Sequence, residues 1–243
     1  MLEQIISFLE SMGVSKAAEQ VNFLLDPVNI PFAIWETLYA PLAATVLAYV
    51  IGLPLGVLLV TGEAEGIRPL PKAFMTILNG VINFLRSVPF LILMVLVFPL
   101  SRLILGTTIG TMATIVPLTV AAAPYVARLV EASLREMDRG VVEAAQSMGC
   151  STWQIVTKVM LPECLPSLIN GATNATITIL SYGAMAGTIG GSGLGAISLQ
   201  RGYQRNQTIV LYVSVILLVV LVQIIQSVGT ALSVKADKRI SHK

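Results

Sequence analysis

Residues 143–166 read EAAQSMGCSTWQIVTKVMLPECLP, a polar and heavily punctuated stretch between long apolar runs. Asp138 precedes a short helical pattern through Glu143, Ala144, Ala145 and Met148 and can cap it. Gly149 then supplies the positive φ with which helices commonly end. Ser151 and Gln154 form an S-x-x-Q capping box that starts a second helix carrying Trp153, Ile155, Val156 and Val159. Pro162 is expected to stop that helix, and Pro166 to open the next run. The spacing predicts a stiff helix–glycine–helix elbow, slim on the side of Ala144, Ala145 and Ser147. A slim side can seat in another protein's groove. The alternative is a pair of interfacial helices resting on lipid.

The flanking runs set the fold class. Of 243 residues, 55% are hydrophobic and 12% charged, with a mean hydropathy of +0.83; soluble domains carry roughly 25% charged residues. Charges are absent from 37–62, 87–101, 103–127, 164–200 and 206–234. About 20 apolar residues cross the ~30 Å hydrocarbon core. We therefore expect an all-α integral membrane protein with five transmembrane helices. They are Leu38–Val60, Val88–Leu105, Met112–Leu129, Leu168–Gly190 and Ile209–Val228, with Arg102 snorkelling to the interface. Five spans put the termini on opposite sides. Eleven of the fifteen basic residues fall in 61–87, 128–166 and the tail 235–243. Positive residues stay inside. The elbow, 138–166, and the basic tail (Lys235, Lys238, Arg239, Lys243) are thus expected in the cytoplasm. Segment 1–34 is expected outside the cell, and 35–234 forms the transmembrane domain.

Two segments read as amphipathic. Phe74, Ile77, Leu78, Val81, Ile82 and Leu85 form a helical stripe within 73–86, lying on the cytoplasmic surface or packing on the bundle. A weaker stripe, Leu2, Ile5, Ile6, Leu9 and Met12, suggests a helix on the outer surface. Within the spans, Asn170, Asn174, Thr178 and Tyr182 recur every four residues, with Thr173, Thr176 and Ser181 beside them. Such a stripe faces a bundle interior or a wet cavity. It is expected to line a translocation path, with Tyr182 and Met185 offering apolar contact to a thioether, or else to bond neighbouring helices together. Gly183, Gly187, Gly191 and Gly195 also recur every four residues and would form a close-packing or gate strip if the helix persists that far.

Several function classes are disfavoured. The net charge of +2 and the sparse aromatics do not suit a nucleic-acid binder. Cys150 and Cys164 match no metal spacing, and the single histidine is His242, so no metal site is expected and the cysteines read as small buried hydrophobes. GGSGLG at 190–195 lacks the dinucleotide spacing and follows no strand. No G-x-x-x-x-G-K-[ST] occurs, so the chain is not expected to hydrolyse ATP or to be an enzyme. No Asp, Glu, Lys, Arg or His sits mid-span, which disfavours a proton relay. A pump with neither device takes its energy from a partner, and the elbow is the visible handle for one.

Glu143-Ala144-Ala145, Gly149, Val159, Leu161 and Pro162 match the pattern E-A-A, three residues, G, nine residues, I, one residue, L-P, with valine replacing isoleucine. That pattern resembles the coupling loop of permease subunits of ABC importers. NFLRSVPFLILM (83–94), GTTIGTMATIVPLTVAAAPYVARLVE (106–131) and GAMAGTIGGSGLG (183–195) look like the methionine-importer permeases in particular. The resemblance implies an ABC importer type I permease fold with a cytoplasmic coupling helix. It also implies a homodimer in a bacterial cytoplasmic membrane, two cytoplasmic ATPase subunits that use ATP and Mg, and an external substrate-binding lipoprotein. No cofactor would be bound by this chain. Glu143, Ala144, Ala145, Ser147, Met148, Gly149, Val159, Leu161 and Pro162 would be the coupling residues. The alternatives are a permease for another polar amino acid or a small peptide, a secondary transporter or channel, and a membrane scaffold without transport.

Overall fold

The computed structural model describes residues 2–11, 14 and 16–237, and among these the chain is helical with no strand. The elements are α1 (Leu2–Ser11), α2 (Ala17–Leu25), α3 (Asn29–Thr61), α4 (Lys72–Ser87), α5 (Phe90–Leu105) and α6 (Thr111–Arg135). There follow α7 (Arg139–Ser147), α8 (Thr152–Ile155), α9 (Leu161–Glu163), α10 (Leu165–Ala186), α11 (Leu194–Ile197) and α12 (Thr208–Ala236). They form two compact units, one of residues 1–43, 94–118 and 178–224, the other of residues 44–93, 119–177 and 225–243.

Helices α3, α6 and α12 are long and apolar enough to cross a membrane, and each contains one expected span. Helix α3 starts at Asn29, nine residues before the expected Leu38, so the boundary at 34/35 falls inside it. Helices α4 and α5 meet at 110°. The break is local in origin: the residue before Pro89 is pushed to extended backbone, and Val88 has φ −78°, ψ 125°. Helix α5 has 16 residues, about 24 Å of rise. The fourth expected span needs correction. Helix α10 ends at Ala186 rather than Gly190, and a 3₁₀ turn, Gly187–Ile189, follows before Gly190 turns the chain at φ +104°.

In the second unit, α3 and α6 approach closely along Gly52-x-x-x-Gly56. A Cβ at Gly52 would lie 2.7 Å from Val126 Cγ1, and one at Gly56 2.6 Å from the Ala127 carbonyl. Helix α4 rests on this pair. Ile82 is buried with Leu59 and Ala127, and Leu55, Met75 and Leu78 pack around them. The apolar stripe expected on α4 is therefore split, because Phe74, Ile77 and Val81 stay exposed.

In the first unit, α2 secures the start of α12. The fully buried Gln20 accepts a hydrogen bond from the Ile209 N–H, one of the orphan donors of a helix N-terminus. Gln207 donates to Glu19, and the Arg201 guanidinium stacks 4.0 Å over the Phe23 ring. Helix α1 is present where a surface helix was expected, but Met12 and the side chains of Leu2, Ile5 and Leu9 lie outside the described residues. The same holds for Lys238, Arg239 and Lys243 of the basic tail.

Candidate functional site

The elbow is built by local hydrogen bonds. Asp138 caps α7, its Oδ1 accepting from the Gly140 N–H at 2.8 Å. Helix α7 closes in a Schellman turn: the Cys150 N–H reaches the Ala145 carbonyl, the Gly149 N–H reaches that of Gln146, and Gly149 takes φ +76°. Ser151 and Gln154 bond reciprocally as a capping box at the start of α8. Pro162 does not end this second helix, contrary to expectation. The chain continues through a π turn, Val156–Met160, into α9, and breaks only at Cys164. Proline lacks the N–H that an α-helix needs and crowds the preceding turn, and the widened π turn lies directly before it.

The elbow has an inner and an outer face. Ala145 (2% exposed), Ile155, Val156 and Met160 are buried. The small Ala145 thus serves internal packing. Glu143, Ala144, Ser147, Gly149 and Pro162 are exposed, and Val159 and Leu161 are half-buried. Met148 and Trp153 are each 75% exposed, an apolar pair on either side of the glycine turn. Cys150 is half-buried and Cys164 buried, and the two are not joined by a disulfide.

A polar ladder runs beside the elbow within the second unit. Arg128 donates to Asn79 and Asn83 of α4, each at 2.8 Å, and to Glu131 at 2.6 Å. Glu131, 8% exposed, also accepts from Arg135 at 2.8 Å. Arg135 reaches on to Glu63 in the connection after α3, and Arg139 of α7 pairs with Glu65 at 3.5 Å. The hydrogen bonds from Arg135 to Glu131 and Glu63 raise its pKa above the ordinary arginine value. Between the 63–67 connection and α7 lies a cavity of about 300 Å³, lined by Glu63, Arg135, Arg139, Glu143, Gln146 and Met160 among others.

The elbow is thus braced at its root and exposes two large apolar side chains at its tip. Residues 52–236 match the family described as binding-protein-dependent transport system inner membrane component. The chain belongs to that family. It is 50% identical over 220 residues to the probable D-methionine transport system permease protein MetI of Vibrio cholerae serotype O1, covering 89% of this chain and 96% of that one. To the D-methionine transport system permease protein MetI of Escherichia coli K12 it is 47% identical over 154 residues, 63% of this chain and 70% of that one. A solved structure of the inward-facing MetNI methionine ABC transporter superposes with a TM-score of 0.82 at 43% identity, covering 84% of this chain and 94% of that one. An amino-acid ABC transporter at 18% identity and TM-score 0.67 shares the fold.

The other residues expected to matter in a permease of this family divide between the units. On α10, Asn170 and Asn174 fall in the second unit, and Thr178, Ser181, Tyr182 and Met185 in the first. Asn170, Asn174, Ser181 and Met185 are exposed and Thr178 and Tyr182 half-buried, whereas Leu168, Gly171, Ala175 and Ile179 are buried. The glycine strip is not one helical face, because α10 ends before Gly187. The close packing it promised arises differently, through a hairpin folded back on α10. A Cβ at Gly187 would lie 2.6 Å from Ala196, and one at Gly195 2.4 Å from Ala184. Among the described residues no group of three or more histidine, cysteine or carboxylate side chains could hold a metal. Sequence reasoning missed Glu63, Glu65, Arg135 and Arg139 as supports of the elbow. The charges were visible, but their partners lie 72 and 74 positions away.

Proposed function

We propose that this chain is the membrane-spanning subunit of an ATP-driven methionine importer, working as a symmetric pair with two copies of a cytosolic ATPase and an external binding protein. It spans the bilayer five times with its N-terminus outside. The elbow 138–166 docks on the ATPase, with Met148 and Trp153 as apolar anchors beside Glu143. The chain itself carries no catalytic group and binds no nucleotide; ATP and Mg belong to the ATPase. The observation that carries this reading is the elbow, whose capped and glycine-turned geometry presents two large apolar side chains to water. Methionine and tryptophan are residue types enriched where one protein surface docks on another. The exposed polar face of α10 supports a path between the two copies.

Reconstitution into proteoliposomes tests the reading. Radiolabelled methionine should accumulate only when the ATPase and ATP are present. Glu143→Lys should abolish accumulation and weaken co-purification of the ATPase while the permease still inserts. Accumulation that continues undiminished without the ATPase would refute the proposal.

A further inference from the structure

Helix α3 carries one carboxylate, Glu36, seven residues from its start, and the first unit organises three segments around it. Glu36 Oε1 accepts from the Thr111 hydroxyl at 2.7 Å, at the start of α6, and from the Ser192 hydroxyl at 2.8 Å, in the glycine hairpin. The Thr111 and Ser192 hydroxyls also touch each other. Neighbouring bonds converge on the same place. Thr37 Oγ1 accepts from the Leu194 N–H at 2.8 Å, and the Gly110 N–H donates to the Gly190 carbonyl at 2.9 Å. The cavity beside Glu36 is about 10 Å³, no more than one water. A half-buried carboxylate is costly unless donors satisfy it, so its role here is to hold those donors.

The hairpin it holds is tightly seated yet has no regular structure of its own between Ile189 and Leu194. Gly190 and Gly193 take φ +104° and +91°, and a Cβ on Gly193 would lie 2.7 Å from Thr37 Oγ1. Leu194 and Ala196 anchor the hairpin in the core, whereas its tip, 190–193, carries no apolar side chain and is fixed by hydrogen bonds, which can be released and re-formed at modest cost. We propose that Glu36, Thr111 and Ser192 form a latch that keeps the 190–193 tip of the hairpin shut against α3 and α6, and that every transport cycle breaks it. The proposal rests on the transport reading above and assigns Glu36 as a positioning residue of the gate.

Disulfide trapping tests it directly. The Thr111 and Ser192 side chains are in contact, so cysteines there lie within bonding reach. Thr111→Cys with Ser192→Cys is built with Cys150 and Cys164 changed to serine, and methionine uptake is followed in the complete complex. Oxidation should form the bond and cut uptake to below about a tenth, with recovery on reduction and no effect on either single-cysteine form. Normal uptake by fully cross-linked protein, or failure of the bond to form, overturns the latch. Glu36→Ala should raise ATP hydrolysis in the absence of substrate by roughly tenfold, as expected for losing a charge-assisted bond that favours the shut state. Unchanged hydrolysis in folded Glu36→Ala complex counts against it equally. If the unaltered complex moves no methionine, the substrate reading fails instead, and the latch is then judged by whether the cross-link arrests ATP hydrolysis.

Discussion

At the scale of single residues, Glu131 and Arg139 carry charges of similar appearance and very different weight. Glu131 is buried and bonds two guanidiniums, whereas Arg139 and Glu65 are largely exposed and 3.5 Å apart. Breaking a buried pair strands a charge and costs about 3 kcal/mol, while an exposed pair contributes under about 1 kcal/mol. Glu131→Gln is therefore expected to lower the thermal midpoint of the detergent-purified permease markedly, and Arg139→Ala to leave it within error. Equal effects on thermal unfolding would mean the ladder bears no load. The pH behaviour follows from the raised pKa of Arg135. Its contribution is complete below the ordinary arginine range and lost only as pH rises through the higher folded value, so it introduces no pH dependence near neutrality. None of this was legible in the sequence. Arg128 meets Asn79 and Asn83 across 49 and 45 positions, and Glu36 meets Ser192 across 156. Periodicity reports which face a residue occupies and is silent on such partners.

At the scale of elements, what the sequence revealed is what is settled within a few residues. The Asp138 cap, the turn at Gly149 and the Ser151–Gln154 box are all interactions between positions two to five apart, and each formed as its residue types dictate. The long apolar helices were legible for a similar reason, since composition alone demands them. Their ends were not. Helix α3 runs on to Asn29 because nothing between Asn29 and Leu38 forbids a helix, and Pro31 lies in its first turn where a missing N–H is harmless. The glycines at 183, 187, 191 and 195 suggested a helical strip, but the same glycine density permits the left-handed turns at Gly190 and Gly193 that end it. Glycine also separates two predictions for the second unit. Gly56→Leu must force α3 from α6, because its Cβ would already sit 2.6 Å from Val130. A loss of about 1–3 kcal/mol is expected in chemical unfolding. Gly80 lies inside α4 with open space at its Cβ, so Gly80→Ala should be neutral or stabilise by up to about 1 kcal/mol. Comparable losses from both would contradict the close approach of α3 and α6.

At the scale of the whole molecule, the exposed residues of α10 bear on how two copies would meet. Asn170, Asn174, Ser181 and Met185 are exposed on a helix whose adjacent face, with Gly171, Ala175 and Ile179, is buried. Exposed asparagines on a membrane-spanning helix commonly face a wet cavity or a neighbouring helix rather than lipid. A second copy related by a two-fold axis would supply both, turning two exposed faces into one lined path. Asn174→Leu is then expected to leave assembly and basal ATP hydrolysis intact, because the position belongs to the proposed path and lies outside the elbow. It should lower methionine uptake through a raised KM, by roughly tenfold for one lost polar contact. Asn174→Cys should be labelled by a small water-soluble thiol reagent, and more slowly when saturating methionine is present. A face that meets lipid instead would leave that cysteine unreactive to such a reagent and indifferent to substrate, and the leucine variant would transport normally. The two experiments separate a wet path from a glued or lipid-facing surface without depending on the elbow, so they probe how the two copies meet independently of how they are driven.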